Sequence, residues 1–221
     1  MTRLIPLFLT AAALVLTGCG AGNTAATPTN RNAAGTAACD YVRTGDSPAR
    51  PVDPPAGTAS TVGATTLTLT MSGGTVTITG DRSRTPCTLH AMESLATQGY
   101  FNDTGCHRLA DSGMFMVQCG DPTGTGRGTP GYRFADEIDA NTRYPAGTVA
   151  MANAGSNTNG SQFFIVYRDT ELKPNYTAFG RIDEASLKVI EAMAADGHDN
   201  SYGDGTGKPH NPFTIVTATV G

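Results

Sequence analysis

The sequence predicts a mainly β fold: a closed antiparallel barrel capped by two α-helices. Three observations carry that prediction. The 221 residues are rich in Gly and Thr, with only 7% aromatics and no Trp, a composition that favours strands and turns. Short segments of alternating apolar and polar residues recur along the chain. Two stretches with helical spacing lie far apart, which suits the ends of a barrel better than the regular alternation of a βαβ sheet.

The elements follow in order. Leu67, Leu69 and Met71 alternate with Thr66, Thr68 and Thr70, the pattern of a half-buried strand. Ser72-Gly73-Gly74 turns the chain, and Val76 and Ile78 continue the alternation, completing a hairpin. Thr85 as N-cap and Pro86 at the first helical position open a helix. Leu89, Met92, Leu95 and Ala96 form its apolar stripe, and Gly99 ends it. Short strands are expected at 106–109, 114–119, 148–152, 162–167 and 177–182. A second helix spans 184–195, between Asp183 as N-cap and Gly197, and 213–220 is the closing strand. The long connections 120–147 and 197–212 are candidate functional surfaces.

The N-terminal region reads differently. Arg3 precedes a short apolar run from Leu4 to Leu16, too short to span a bilayer. The run ends in Leu16-Thr17-Gly18-Cys19, which resembles a bacterial lipobox. Residues 1–18 are therefore expected to be a lipoprotein signal peptide, with Cys19 the lipidated N-terminus. Residues 19–60, rich in Ala, Gly, Thr, Asn and then Pro, are expected to be a largely disordered tether. Within it, Cys39-Asp40-Tyr41-Val42 is the exception that docks on the domain. The folded domain is expected at 61–221.

Several chemistries are excluded. With 15 Lys+Arg against 19 Asp+Glu, the chain has no broad basic footprint for nucleic acid. There is no Gly-x-Ser-x-Gly elbow. Gly124-Thr125-Gly126-Arg127-Gly128 lacks the Lys-Ser/Thr ending of a phosphate loop and reads as a flexible loop. Cys87, Cys106, His107 and Cys119 have irregular spacing for a metal, and no cofactor is expected.

Two segments carry more information. Cys106-His107-Arg108-Leu109 is followed by Phe115-Met116-Val117-Gln118-Cys119-Gly120-Asp121, and later comes Met151-Ala152-Asn153-Ala154-Gly155-Ser156-Asn157-Thr158-Asn159-Gly160-Ser161-Gln162-Phe163-Phe164. Together with Phe179-Gly180-Arg181-Ile182 they resemble the cyclophilin family of peptidyl-prolyl cis-trans isomerases over about residues 61–221. The resemblance implies an eight-stranded closed barrel and isomerase activity, with a non-catalytic proline-peptide binding or adhesion module as the alternative. It places the catalytic arginine on Arg108, with Gln118 beside it. It places substrate contacts on Phe115, Met116, Ala152, Asn153, Ala154, Gln162, Phe164 and Leu172, and puts Tyr176 where the family usually has His. The chain departs from the family in three places. Asp111-Ser112-Gly113-Met114 is about two residues longer than usual, the rim Trp is absent near Glu171-Leu172, and Tyr176 replaces His.

These residue types suit the reaction. Rotating an X-Pro bond meets a barrier of roughly 18–20 kcal/mol and breaks no bond, so neither nucleophile nor general base is required. In the twisted state the proline nitrogen regains a lone pair, and a guanidinium beside it donates a hydrogen bond that the planar ground state cannot accept equally well. Arg stays protonated and offers donors in fixed geometry. The implied partners are proline-containing polypeptides, with weak cyclosporin binding because no Trp stands at the rim. A monomer on the extracytoplasmic face of the cell membrane is expected, held by its lipid anchor and assisting the folding of exported proteins. After Cys19, four cysteines allow three full pairings, and a Cys87–Cys106 disulfide is the expected one.

Overall fold

A computed structural model describes residues 31–32 and 35–221. The expected signal peptide and Cys19 lie outside the described residues. In chain order the elements are β1 (Arg31–Asn32), β2 (Thr36–Ala38), β3 (Val42–Arg43), β4 (Thr58–Ser60), β5 (Ala64–Met71), β6 (Gly74–Asp81), α1 (Pro86–Thr97), β7 (Thr104–Gly105), β8 (Arg108–Ser112), β9 (Met114–Cys119), β10 (Tyr132–Arg133), β11 (Thr148–Met151), β12 (Phe163–Val166), β13 (Ala178–Ile182), α2 (Glu184–Ala194), β14 (Thr206–Gly207) and β15 (Thr214–Val220). No helix among the described residues is long and apolar enough to cross a membrane.

The hairpin β5–β6 forms as the alternation requires. Leu67 stands opposite Ile78 and Leu69 opposite Val76, all four buried. Pro86 takes the first helical position of α1, but the Thr85 side chain does not cap it. Glu137, from the long 120–147 connection, does so instead. Its carboxylate accepts from the amides of Cys87 (3.1 Å) and Thr88 (2.8 Å), placing negative charge at the helix N-terminus. At α2 the sequence signal holds, with Asp183 Oδ1 accepting from the Ser186 amide at 2.8 Å.

The main sheet has ten strands in the order β14-β8-β9-β12-β11-β13-β6-β5-β15-β7, and its neighbouring strands pair antiparallel. It is a curled half-barrel rather than the expected closed eight-stranded barrel. The two edge strands, β14 and β7, do not pair with each other. The gap is crossed by the chain itself. Between β7 and β8, Cys106 donates its amide to Phe213 O on one side (2.7 Å) and His107 donates to Gln118 O on the other (3.1 Å). Inside the curl lies the main core, with Leu89, Leu95, Phe101, Leu109, Val117, Val149, Phe163, Ile165 and Phe213 almost without exposure.

The segment 35–60, expected as part of a disordered tether, lies along the domain. β2 pairs with β4, and β3 pairs with β10. The Tyr41 ring meets Tyr132 and Phe134 edge-on, and its hydroxyl donates to Cys87 O at 2.8 Å. One Arg50 nitrogen, Nη1, reaches the carbonyls of Gly99, Tyr100 and Asn102. Composition alone hides this, because a strap folded onto a pre-existing surface needs no amphipathic period of its own.

The expected Cys87–Cys106 disulfide is not formed. The pairs are Cys39–Cys87 and Cys106–Cys119. Cys87, at the start of α1, is met by Cys39 of the strap, while Cys106, in the link between β7 and β8, lies beside Cys119 at the end of β9 with Cα atoms 4.0 Å apart. With sequence separations of 48 and 13, the chain-entropy relation gives about 4 and about 3 kcal/mol of stabilisation.

Candidate active site

Strand pleating sorts the predicted residues onto two faces. On the face of the sheet turned away from the main core, Arg108 stands opposite Gln118, Gln118 opposite Phe164, and Phe164 opposite Ala150. These four residues form one row across four strands, with neighbours about 5 Å apart. A second row, Ala110, Met116 and Val166, runs beside it. Met116, Phe164, Ala110, Ala150, Val166 and Tyr144 make a buried apolar cluster of their own, on which Ala152, Leu172 and Tyr176 pack. The Phe164 and Tyr176 rings meet edge-on at 5.5 Å.

Phe115 is not in this cluster. Its side chain packs on the main core, edge-on to Tyr167 at 6.1 Å, and the Arg168 guanidinium stacks on it at 4.7 Å. The cause lies in the hairpin that follows β8. Ser112 pairs with Met114 and Asp111 with Phe115 around Gly113, which takes φ of +74°. The regular ladder therefore continues through Phe115, and consecutive residues Phe115 and Met116 must face opposite ways.

The polar part of the site is a relay of amides. Gln118 Nε2 donates to Gln162 Oε1 at 2.8 Å, and Gln162 Nε2 donates to the carbonyls of Gly126 and Gly128, both at 3.0 Å. Gln162 also fixes the neighbouring strand, since its carbonyl accepts from the Ala152 amide at 3.0 Å. Arg108 is half-buried. Its Nε is buried with no hydrogen-bond partner, and the guanidinium makes no ion pair with a carboxylate, among the described residues.

The Asn153 side chain is tied down, with Nδ2 donating to Asn175 O (2.9 Å) and Oδ1 accepting from the Gly155 amide (3.2 Å). Its backbone N–H and carbonyl have no partner among the described residues. Ala154 is exposed, and its amide donates to Thr158 Oγ1. The ridge 152–154 thus offers backbone groups beside the apolar cluster, on which Ala152 packs.

Two contributors escaped sequence reasoning. Tyr144 lies in a segment without periodicity, yet its hydroxyl donates to Tyr176 O (2.8 Å) and accepts from the Tyr176 amide (3.0 Å), fastening the Leu172–Tyr176 wall. Asp121 was legible only as the end of a motif. It organises the segment 123–128, read above as a flexible loop, by accepting from the amides of Thr123, Thr125, Gly126 and Gly128. These bonds outweigh its burial and hold its carboxyl below the usual carboxylate range. Burial pushes the neighbouring His107 imidazole down, against the pull of Asp121 and with the repulsion of Arg108. No group of three or more His, Cys, Asp or Glu suited to a metal occurs among the described residues.

Comparisons with known proteins identify the family. The family profile described as cyclophilin type peptidyl-prolyl cis-trans isomerase/CLD matches residues 66–220. The probable peptidyl-prolyl cis-trans isomerase B of Mycobacterium leprae is 41% identical over 194 residues, covering 81% of this chain and 64% of the relative. The chain therefore spans slightly less than two thirds of that relative's length. The peptidyl-prolyl cis-trans isomerase-like 1 of Aspergillus oryzae is 42% identical over 162 residues, covering 71% of this chain and 96% of that protein. Among solved structures, a cyclophilin-type isomerase of Cryptosporidium parvum superposes with a TM-score of 0.63 at 27% identity, covering 72% of this chain and 98% of that one. The same Cryptosporidium protein in the presence of the dipeptide Ala-Pro gives 0.62 at 28% identity, covering 71% and 98%. By the extent of the profile match, this chain belongs to the cyclophilin-type peptidyl-prolyl cis-trans isomerase family.

Proposed function

We propose that the protein accelerates cis-trans rotation of X-Pro bonds in polypeptides, with Arg108 as the group that acts on the reacting amide. The observation that carries this reading is the row Arg108–Gln118–Phe164, which sets a guanidinium without a carboxylate partner among the described residues beside an apolar cluster. The proline ring occupies the hollow of Met116, Phe164 and Leu172, with Tyr176 as its outer wall. The chain of the substrate lies along 152–154, where the free N–H and carbonyl of Asn153 pin one side of the bond. Arg108 donates to the proline nitrogen as resonance is lost, and this bond strengthens only on the way to the twisted state. Gln118 and Gln162 hold that edge of the site. Phe115 belongs to the support beneath β9.

The cellular setting follows the N-terminal signals. The protein acts as a monomer on exported polypeptides at the outer face of the cell membrane, anchored through lipid on Cys19. Cyclosporin binds weakly, because neither Glu171 nor Leu172 supplies the donor or ring area of an indole.

The test is a protease-coupled isomerisation assay on an Ala-Pro peptide, paired with a peptide titration followed by NMR. Acceleration is expected, with shifts at Met116, Phe164 and Asn153. Binding at those residues without acceleration would replace the enzyme by a proline-peptide docking module, and no binding would reject the site.

A further inference from the structure

The strap 39–53 lies outside the residues matched by the family profile. Part of it contacts the core: the Cys39–Cys87 disulfide, Tyr41 and the Arg50 hook fasten it to α1 and to the turn that follows. The stretch 44–50 does something else. Thr44 donates its amide to Gly131 O at 3.1 Å, and Ala49 donates to Thr129 O at 2.8 Å. Pro48 lies so close to Gly131, which has φ of +77°, that a Cβ there would come within 3.3 Å of it. A Cβ at Gly128 would come within 3.2 Å of the Ala49 methyl.

These contacts meet the relay described above. Gly128 O accepts from Gln162, and the very next carbonyl, Thr129 O, accepts from Ala49 of the strap. Gln162 in turn holds Gln118, which stands opposite Arg108. A line of hydrogen bonds, joined through the backbone of Thr129 between two successive carbonyls, therefore runs from the strap to the row that carries Arg108. Stabilisation alone would be served by the contacts to α1 and the core. The additional contacts at 44–50 fall on the segment whose carbonyls orient Gln162.

We infer that the strap is a positioning element of the active site: latched by Cys39–Cys87 and Arg50, it fixes the 126–131 segment and, through Gln162, the edge of the site that holds Arg108. The inference rests on the isomerase reading above. Opening the strap releases Thr129 O from Ala49, lets Gly126 and Gly128 shift, and leaves Gln162 and Gln118 in several arrangements. The proline hollow is formed by other strands and keeps its shape. The effect then falls on turnover and not on substrate affinity, because only the transition state needs the guanidinium edge in one position.

The test uses the full chain with two independent openings of the strap, Cys39→Ser/Cys87→Ser and Arg50→Ala, assayed well below their melting temperatures. Both should lower kcat about three- to tenfold with KM unchanged, shift the Gln162 side-chain amide resonance, and speed hydrogen exchange at the Gly126 and Gly128 amides. Arg50→Ala leaves both disulfides intact and so separates positioning from cross-linking. Unchanged kcat and an unmoved Gln162 resonance in folded variants would overturn the inference, as would a loss confined to melting temperature. A wild-type chain without turnover would instead bring down the isomerase reading. In that case the Gln162 resonance still decides whether the strap reaches this edge of the sheet.

Discussion

Replacing Asp121 by Asn removes one acceptor oxygen from the carboxylate around which a whole segment is wound. Asp121 is 0% exposed, and its Oδ2 alone accepts from the amides of Thr125 (3.1 Å), Gly126 (2.7 Å) and Gly128 (3.1 Å). Asn keeps a single carbonyl oxygen and presents an NH2 where the other oxygen stood, so donors face donors. A hydrogen bond to a charged group is worth about 1.5–3 kcal/mol, and bonds in one network do not add. Thr125 and Gly126 are exposed, so water takes over part of the loss. The expected cost is about 3 kcal/mol, which for a domain of this size lowers Tm by about 6–12 °C.

The pH dependence has a definite sign. The folded-state pKa of Asp121 is depressed. Its contribution is therefore complete above the ordinary carboxylate value of about 4 and is lost as pH falls through the lower folded value. Thermal melts followed by circular dichroism at pH 7 and at a series of values below 4 check both parts. The variant should melt lower at pH 7 and show a shallower acid decline. A variant melting within about 1 °C of wild type, with the same acid decline, would refute the claim that this carboxylate organises the segment.

Other outcomes follow from the same geometry. Met116→Ala should raise KM severalfold and also cost about 2 kcal/mol or more of stability, because Met116 is buried, whereas Phe115→Ala should cost about 2–3 kcal/mol of stability and leave KM near wild type; the KM values separate the two. Tyr144→Phe deletes a hydroxyl bonded to both the N–H and the carbonyl of Tyr176, so KM should rise as the Leu172–Tyr176 wall loosens, read by peptide titration. The folded-state pKa of His107 is lowered, so wild-type stability should fall as pH drops below about 6.5, where the unfolded chain takes up the proton first. His107→Gln should remove that part of the decline in melts between pH 7 and pH 5.

What the sequence revealed and what it concealed divide along physical lines. The β5–β6 hairpin was legible because a half-buried strand must alternate, and α2 because Asp183 caps it and Gly197 follows it. Arg108, Gln118, Gln162 and Phe164 were legible through their motif, and strand register then placed three of them in one row. Phe115 was misassigned to the hollow because a motif records neighbours in sequence, while the Asp111–Gly113 extension fixes which way a residue faces. The disulfides were mispaired because Cys39 sits in a segment whose composition resembles a tether, and its docking depends on a surface built elsewhere. Tyr144 and Glu137 act through hydrogen bonds to residues far along the chain, and Asp121 through several bonds to the loop that follows it, for which an apolar periodicity has no signature. Barrel closure could not be read either, since the edge strands β7 and β14 have only two residues each and are defined by their partners.

The most direct test of the central claim is the turnover of Arg108→Ala beside that of wild type, measured on an X-Pro peptide together with both melting temperatures. A donor that strengthens only in the twisted state is worth roughly 3 kcal/mol, so kcat/KM should fall about a hundredfold while Tm stays within about 2 °C. Arg108→Lys should recover little of it, because an ammonium lacks the planar fork of donors. Turnover retained in Arg108→Ala would contradict the account.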